Sequence, residues 1–211
     1  MDSNESKGFN SASELVKSFL KDLGEVRTPT NYPLTGAAWN KYMARLDKSG
    51  VTVVEAGEED ANLALEIAGH VGLNLKKPVA YFSVELGKQD VILGLLNAML
   101  DLDRQVLKRV IREPDGINAI AVAASRLLGS DFYIEDSRAL TPAEIGKRCE
   151  SLLYKLENEN KQLGLIVIDY LELLYLDRRV DDSYHETSII LSELRALAAD
   201  FMVPMVVLSR P

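Results

Sequence analysis

The stretch from Gly164 to Leu174, GLIVIDYLELL, in which an unbroken apolar run is followed at once by an acid, constrains the fold of this chain more than any other. A continuous Leu/Ile/Val run of this length is typical of a strand buried on both faces, as in a parallel sheet covered by helices. An unpaired carboxylate inside such a core is very costly, so we expect Asp169 at the carboxyl end of the strand. Open α/β sheets bind ligands at that end. The alternative is a plain buried strand with a solvated acid at its exit.

Four other strand-like segments alternate with helical patterns along the chain. Strands are predicted at 51–54, 79–84, 132–134 and 205–208, and helices at 14–23, 35–46, 61–71, 88–100, 103–111, 116–128, 142–159 and 184–201. Such alternation predicts βαβ units with right-handed crossovers. We therefore expect a three-layer α/β fold with a mainly parallel five-stranded sheet. Thr141, Pro142 and Glu144 predict a capping box with proline at the first helical position.

Strand and helix patterns alternate in residues 33–211, which we take as one domain. Residues 1–32 precede this domain and lack the alternation. The first ten residues are polar and predict a disordered tail. Ser13 is the predicted cap of an amphipathic helix over 14–23, and an extended, proline-containing linker follows it. The apolar positions of the helix form one stripe, which must be buried against something. The surface that covers it belongs either to the chain's own domain or to a neighbouring subunit.

Composition limits the compartment and the partners. The chain has 211 residues, 47% of them hydrophobic, with a net charge of −8 and one cysteine, Cys149. One thiol makes no internal disulfide, and no signal pattern or long uncharged apolar stretch is present, so we expect a cytoplasmic protein without a membrane partner. The charge argues against binding DNA by phosphate neutralisation alone, although it leaves room for a local basic patch. Arg178 and Arg179 are too sparse to predict a DNA groove.

Several segments, in order and at compatible spacings, match a known family. They are PLTG at 33–36, YFSVEL at 81–86, FYIEDS at 132–137, the run at 164–174, and VPMVVLS at 203–209. Together they resemble the RecA-like ATPase domain of the DnaB-type bacterial replicative helicases. The resemblance implies a RecA-like P-loop NTPase fold and an ATP- and Mg²⁺-dependent DNA helicase that works as a ring. It also likens the helix at 14–23 to a linker helix that docks on the adjacent subunit. The family's amino-terminal domain and later segments have no counterpart here, so we expect a shortened chain.

The loop after Val54 departs from the family's phosphate-binding pattern. A P-loop needs backbone N–H groups, a lysine for the β- and γ-phosphates and a Ser/Thr hydroxyl for Mg²⁺. The resemblance places Asp60 at the lysine, Ala61 at the Ser/Thr and Glu59 at the preceding glycine. Gly57 is retained, Glu58 adds another acid, and the loop is shorter than the family's.

These replacements reverse the charge that a triphosphate would meet. Two like charges about 4 Å apart repel by roughly 1 kcal/mol in water and about 4 kcal/mol at an intermediate dielectric. A helix amino terminus offers an anion only about 0.3–1 kcal/mol. We therefore predict that ordinary ATP binding is lost, and that the loop's own carboxylates cap the helix and fill the anion site.

Other site positions keep family-like residues. The resemblance makes Glu85 the vestigial catalytic glutamate, Asp169 the vestigial Walker B metal ligand, and Ser209 and Arg210 the sensor position. Arg210 stands where the family has glutamine, and we expect it to pair with Glu85, Asp169 or the acidic loop. Glu172 replaces another family glutamine. An alternative is a Mg²⁺ or Ca²⁺ site formed by Glu55, Glu58, Glu59, Asp60, Glu85 and Asp169.

Three hypotheses for function follow. The first is a degenerate DnaB-like protein without ATP hydrolysis and without a cofactor, which self-associates through the helix at 14–23 or binds a replication protein. The second is a working ATP-dependent DNA helicase with an altered site that uses ATP and Mg²⁺. The third is a remnant of a damaged gene with no present role.

Overall fold

The computed structural model describes residues 9–23, 50–55, 63–100, 114–178 and 182–210. The predicted helices at 35–46 and 103–111, and the loop residues Gly57, Glu58, Glu59, Asp60 and Ala61, lie outside these ranges. The elements are β1 (Asn10–Ser11), α1 (Ala12–Leu23), β2 (Val51–Glu55), α2 (Leu63–Gly69, continued by a π-helical turn His70–Asn74), β3 (Val79–Ser83), α3 (Lys88–Leu100), α4 (Pro114–Leu128), β4 (Phe132–Glu135), α5 (Pro142–Asn158), β5 (Leu165–Asp169), a 3₁₀ turn (Leu171–Leu173), α6 (Ser183–Phe201) and β6 (Met205–Ser209).

The sheet has the order β1-β4-β3-β5-β6-β2. All pairs among β2 to β6 are parallel, which confirms the predicted α/β fold. The strand of the opening run, β5, lies between β3 and β6, and all five of its residues are buried. Burial on both faces explains why its sequence is continuously apolar instead of alternating.

A sixth strand, β1, corrects the prediction of a disordered tail through residue 10. Asn10 pairs with Ile134 and Ser11 with Tyr133, in the antiparallel sense. The ring of Phe9, just before this strand, meets the ring of Phe82 edge to face, with 4.9 Å between their centroids. The short strand covers the edge of β4, which would otherwise present unpaired backbone groups.

Helices cover both faces of the sheet. One face packs against α1, α2, α3 and α4, and the other against α5 and α6. Successive residues of the strands alternate between the two cores: Tyr81 and Val167 belong to the first, Phe82 and Ile168 to the second. Because of this alternation, side chains two residues apart in one strand lie on the same face of the sheet. This determines which side chains are neighbours of Asp169.

The amino-terminal cap of α5 confirms the prediction from the sequence, and that of α1 corrects it. Thr141 and Glu144 form the predicted capping box at the start of α5. At α1 the predicted cap, Ser13, is wrong. The backbone N–H of Glu14 donates to the Ser11 hydroxyl at 3.2 Å, and the Glu14 carboxylate accepts from the Ser11 N–H at 3.1 Å, so the box starts at Ser11. This is a reciprocal capping box.

The described first part of the apolar stripe of α1 lies on the chain's own domain. Ala12 and Val16 have no exposed surface and belong to the core formed with α3 and α4. For these described residues, the covering surface is the chain's own, one of the two that were predicted. Among the described helices, none is long and apolar enough to span a membrane.

Candidate functional site

The carboxyl ends of three neighbouring strands carry the candidate site. Asp169 ends β5, Glu85 follows β3, and Ser209 and Arg210 end and follow β6. Because these strands are parallel and adjacent, their carboxyl ends lie at one edge of the sheet. The structure thus brings together all the predicted site residues that it describes.

Asp169 is the buried acid of this site. Its relative exposure is 6%, and its Oδ1 atom has no hydrogen-bond partner, whereas its Oδ2 atom accepts from the Tyr81 hydroxyl at 2.6 Å. Burial raises the pKa of Asp169 from 3.8 to about 6; the Tyr81 hydrogen bond opposes that rise, and the nearby Glu85 carboxylate adds to it. The acid is therefore held in a poorly solvated place where its charged form is disfavoured.

Tyr81 is a site residue that the sequence analysis missed. Its ring is fully buried and stacks on Phe132, with 6.0 Å between centroids. Burial and the Asp169 charge both raise its pKa well above the usual value, so the phenol stays protonated and donates. The signal that identifies it is the register of the strands. Ser83 pairs with Asp169 in the sheet, and Tyr81, two residues earlier, lies on the same face of it.

Arg210 engages Glu85 across the top of the site. The Nη2 atom of Arg210 donates to Oε2 of Glu85, and the two side chains are 46% and 44% exposed. The guanidinium also lies over the Tyr170 ring, 4.7 Å from its centroid. The hydrogen bond to Glu85 raises the pKa of Arg210 further, so the arginine is always charged here. We call this Arg210–Glu85 pair the latch.

Glu172 anchors the residues that carry the latch. Its Oε1 atom accepts from the Ser209 hydroxyl at 2.5 Å and from the Arg210 N–H at 3.1 Å. The 3₁₀ turn after β5 is thereby fastened to the end of β6. Both Ser209 and Glu172 were noted in the sequence, but their contact was not predicted.

Three carboxylates of the site accept hydrogen bonds from other groups of this chain. Asp169 meets a phenol, Glu85 a guanidinium, and Glu172 a hydroxyl and a backbone N–H. Across the described residues there is no group of three or more His, Cys, Asp or Glu that could hold a metal ion. Glu55 pairs with Ser209 at the edge strand and is exposed. The described donors therefore do not form the alternative cation site by themselves.

Comparisons with known proteins give one consistent result. The sequence model of the DnaB-like helicase C-terminal domain matches residues 46–210. A replicative DNA helicase of Leifsonia xyli is 28% identical over 71% of this chain and 32% of its own length. A replicative DNA helicase of Bacillus subtilis is 30% identical over 70% of this chain and 32% of its own length. The chain thus spans about a third of the length of these curated relatives.

Solved structures show the same fold. One solved ATPase domain has a TM-score of 0.72 and 20% sequence identity, and the match covers 93% of this chain and 69% of that domain. A DnaB-like replicative helicase, whose structure includes its interactions with primase, also has a TM-score of 0.72, with 19% identity over 99% of this chain and 49% of its own. At this level of identity the similarity shows the fold alone, a RecA-like α/β sheet.

Proposed function

Because this chain belongs to the DnaB-like helicase C-terminal domain family, we propose that it is a replicative-helicase-like protein that does not hydrolyse ATP and that acts by binding other proteins of DNA replication. The family relation supplies the replicative-helicase context. The loss of hydrolysis and the binding role rest on the residues of this chain.

The proposal rests on one observation, the contact of Arg210 with Glu85 in the latch. A glutamate that activates water for phosphoryl transfer must face the attacking water with a free carboxylate oxygen. Here one oxygen of Glu85 is bound by Arg210, which stands where the family has glutamine. An arginine at this place compensates the negative charge of Glu85 and binds one of its two carboxylate oxygens.

Two further features favour the same proposal. Asp169, at the Walker B position, has one oxygen bound by Tyr81, which leaves only its buried Oδ1 atom for a metal ion. The sequence of the phosphate-binding loop has Glu59, Asp60 and Ala61 in place of glycine, lysine and Ser/Thr. The groups needed for Mg²⁺–ATP therefore do not fit, and no catalytic step is derived through them.

A titration with Mg²⁺–ATP tests the proposal. We expect no heat of binding by calorimetry and no phosphate release with the wild-type chain. The restored variant would carry Glu59→Gly, Asp60→Lys and Ala61→Thr together with Arg210→Gln. We expect this variant to gain nucleotide binding, since it recovers the lysine, the hydroxyl and an unlatched Glu85.

The matched control carries Asp60→Lys alone, which changes the local charge but restores neither the glycine nor the hydroxyl. Binding by the restored variant and not by the control would assign the loss to the motif instead of to charge. Micromolar binding by the wild-type chain, with turnover that Glu85→Gln abolishes, would overturn the proposal.

One observation favours the second candidate, a working ATP-dependent helicase with an altered site. Both members of the latch are nearly half exposed, and such ion pairs contribute only about 0–1 kcal/mol. A ligand could displace Arg210 from Glu85 at that cost. The same Mg²⁺–ATP titration decides between the two candidates.

For the partner, we propose a second copy of this chain or another replication protein. Self-association through residues 14–23 would require α1 to leave its own domain, because Val16 is fully buried there. Sedimentation of the full chain and of a chain lacking residues 1–30 tests this. A mass above the monomer that falls on deletion supports exchange of α1, whereas a monomer in both cases points to a different partner.

A further inference from the structure

We propose that Lys88 is a positioning residue that couples docking of the amino-terminal arm, residues 9–23, to the latch between Glu85 and Arg210. The proposal goes beyond the loss of ATP hydrolysis and does not depend on it, because both coupled events are contacts within this chain. It rests on three consecutive sets of hydrogen bonds.

The first set joins the arm to Lys88. The Lys88 ammonium donates to the Asn10 side-chain oxygen at 3.2 Å, and Asn10 belongs to the strand β1 that pairs with β4. The rest of the arm docks through apolar contacts of Ala12 and Val16. Lys88 is therefore the polar connection between the arm and the segment that follows β3.

The second set fixes Lys88 itself. Its backbone N–H, at the start of α3, donates to the Asp136 carboxylate at 3.1 Å, and its ammonium lies 3.6 Å from the other oxygen of that carboxylate. The side chains of Lys88 and Asp136 are 27% and 28% exposed. Asp136 thus caps α3 and holds the lysine against the end of β4, where the arm is bound.

The third set carries the constraint back to Glu85. The loop from Val84 to Gly87 is short and tied at both ends. The Val84 N–H donates to the Asp169 carbonyl at 2.9 Å, and the Ser83 hydroxyl donates to the Leu86 carbonyl at 2.8 Å. The Gly87 carbonyl accepts from Asp90 at 2.9 Å. Glu85 lies inside this loop, so a shift of Lys88 changes where its carboxylate meets Arg210.

The expected size of the coupling is modest. The side chains that join Lys88 to Asp136 are partly exposed, as are those of the latch, and such contacts contribute less than about 1 kcal/mol. Coupling between two sites is reciprocal, so breaking the latch must loosen the arm as much as freeing the arm loosens the latch. This reciprocity separates coupling from a purely local structural role of Lys88.

Hydrogen–deuterium exchange of the full chain, without nucleotide, tests the proposal. Asn10→Ala and Lys88→Met each remove the contact between the arm and the loop, and we expect amides of residues 84–88 to exchange about threefold faster. Lys88→Arg keeps a cation and should restore slow exchange. In the reverse direction, Arg210→Met should speed exchange in residues 10–16 by a similar factor.

Lys17→Met is the matched control, because Lys17 is an exposed cation of the same arm. We expect no change at residues 84–88 in that variant, and none in α5 in any variant. Faster exchange of the arm alone, with residues 84–88 unchanged in Asn10→Ala and Lys88→Met, would overturn the coupling. So would an unchanged arm in Arg210→Met. Because no nucleotide is used, neither result bears on ATP binding, which the Mg²⁺–ATP titration tests separately.

Discussion

Arg210 reaches from the end of β6 to Glu85 at the end of β3, and β5 lies between those two strands. The pair therefore crosses over the strand that carries Asp169. A side chain in this position places a positive charge near the buried acid and binds one carboxylate oxygen of Glu85 at the same time. Both effects concern the edge of the sheet where ligands of α/β proteins bind.

The latch should matter little for stability. We expect Arg210→Met to lower the free energy of unfolding by less than about 1 kcal/mol, and by less still at high salt, because both partners are exposed. Urea denaturation at two salt concentrations measures it. Arg178→Met, which removes the exposed pair with Glu193, is the control. A loss above about 2 kcal/mol would show that the latch is part of the folded core.

Asp169 should make stability depend on pH. Its pKa is raised from 3.8 to about 6, so between these values the folded chain binds more protons than the unfolded chain. The free energy of unfolding should therefore fall as pH rises from about 4 to about 6, by at most about 3 kcal/mol. Asp169→Asn should remove that fall and gain about 1 kcal/mol or more at pH 7.

Denaturation of the wild-type and Asp169→Asn chains across pH 4–8 measures the difference between them. Asp200→Asn, an exposed acid of α6, is the control and should not change the profile. A difference between the wild-type and Asp169→Asn chains that stays constant with pH would show that the Asp169 pKa is not raised.

Tyr81→Phe should raise the pKa of Asp169 further, because the Tyr81 hydrogen bond lowers it. The buried carboxylate would also lose its donor, at a cost of about 1–3 kcal/mol in unfolding free energy at pH 7. Carbon-13 NMR titration of the Asp169 carboxyl group measures the pKa directly. Tyr154→Phe changes a ring that is 70% exposed and should alter neither quantity.

The two serines at the start of α1 distinguish the structure from the sequence prediction. We expect Ser11→Ala to lower the free energy of unfolding by about 1 kcal/mol, since it removes the hydroxyl that accepts from Glu14. Ser13→Ala should be close to neutral, because Ser13 lies within the first turn. The opposite order, measured by thermal unfolding, would favour the prediction that Ser13 caps the helix.

Much of the fold could be predicted because its signals are local and repeated. The five parallel strands are apolar runs between helical patterns, and Thr141 with Glu144 marks its own helix start. β1 could not be predicted, because a two-residue strand in a polar segment has no periodicity. The cap at Ser11 could have been predicted, because Ser11 and Glu14 have the spacing of a capping box. The cap was assigned instead to Ser13, two residues later.

The site was less predictable than the fold. Asp169 and Glu85 could be predicted as site residues because each lies at the end of a strand. An acidic partner for Arg210 could be predicted from the charge of the arginine. Tyr81 required the strand register, because its hydroxyl meets Asp169 only when β3 and β5 pair Ser83 with Asp169. The contacts of Glu172 and Lys88 depend on side-chain positions that no spacing in the sequence fixes.

The order of the strands also has a consequence for how the chain acquires its structure. Both outer strands pair with distant residues: Asn10 with Ile134 at one edge, and Val51 with Met205 at the other. Closing such long loops is entropically costly before the contacts form, so non-local pairings form slowly. We expect β3, β4, β5 and β6 to associate first, and the outer strands β1 and β2 to join late. Until then β4 and β6 each present an open apolar edge, which makes the unfinished chain prone to aggregate while it folds.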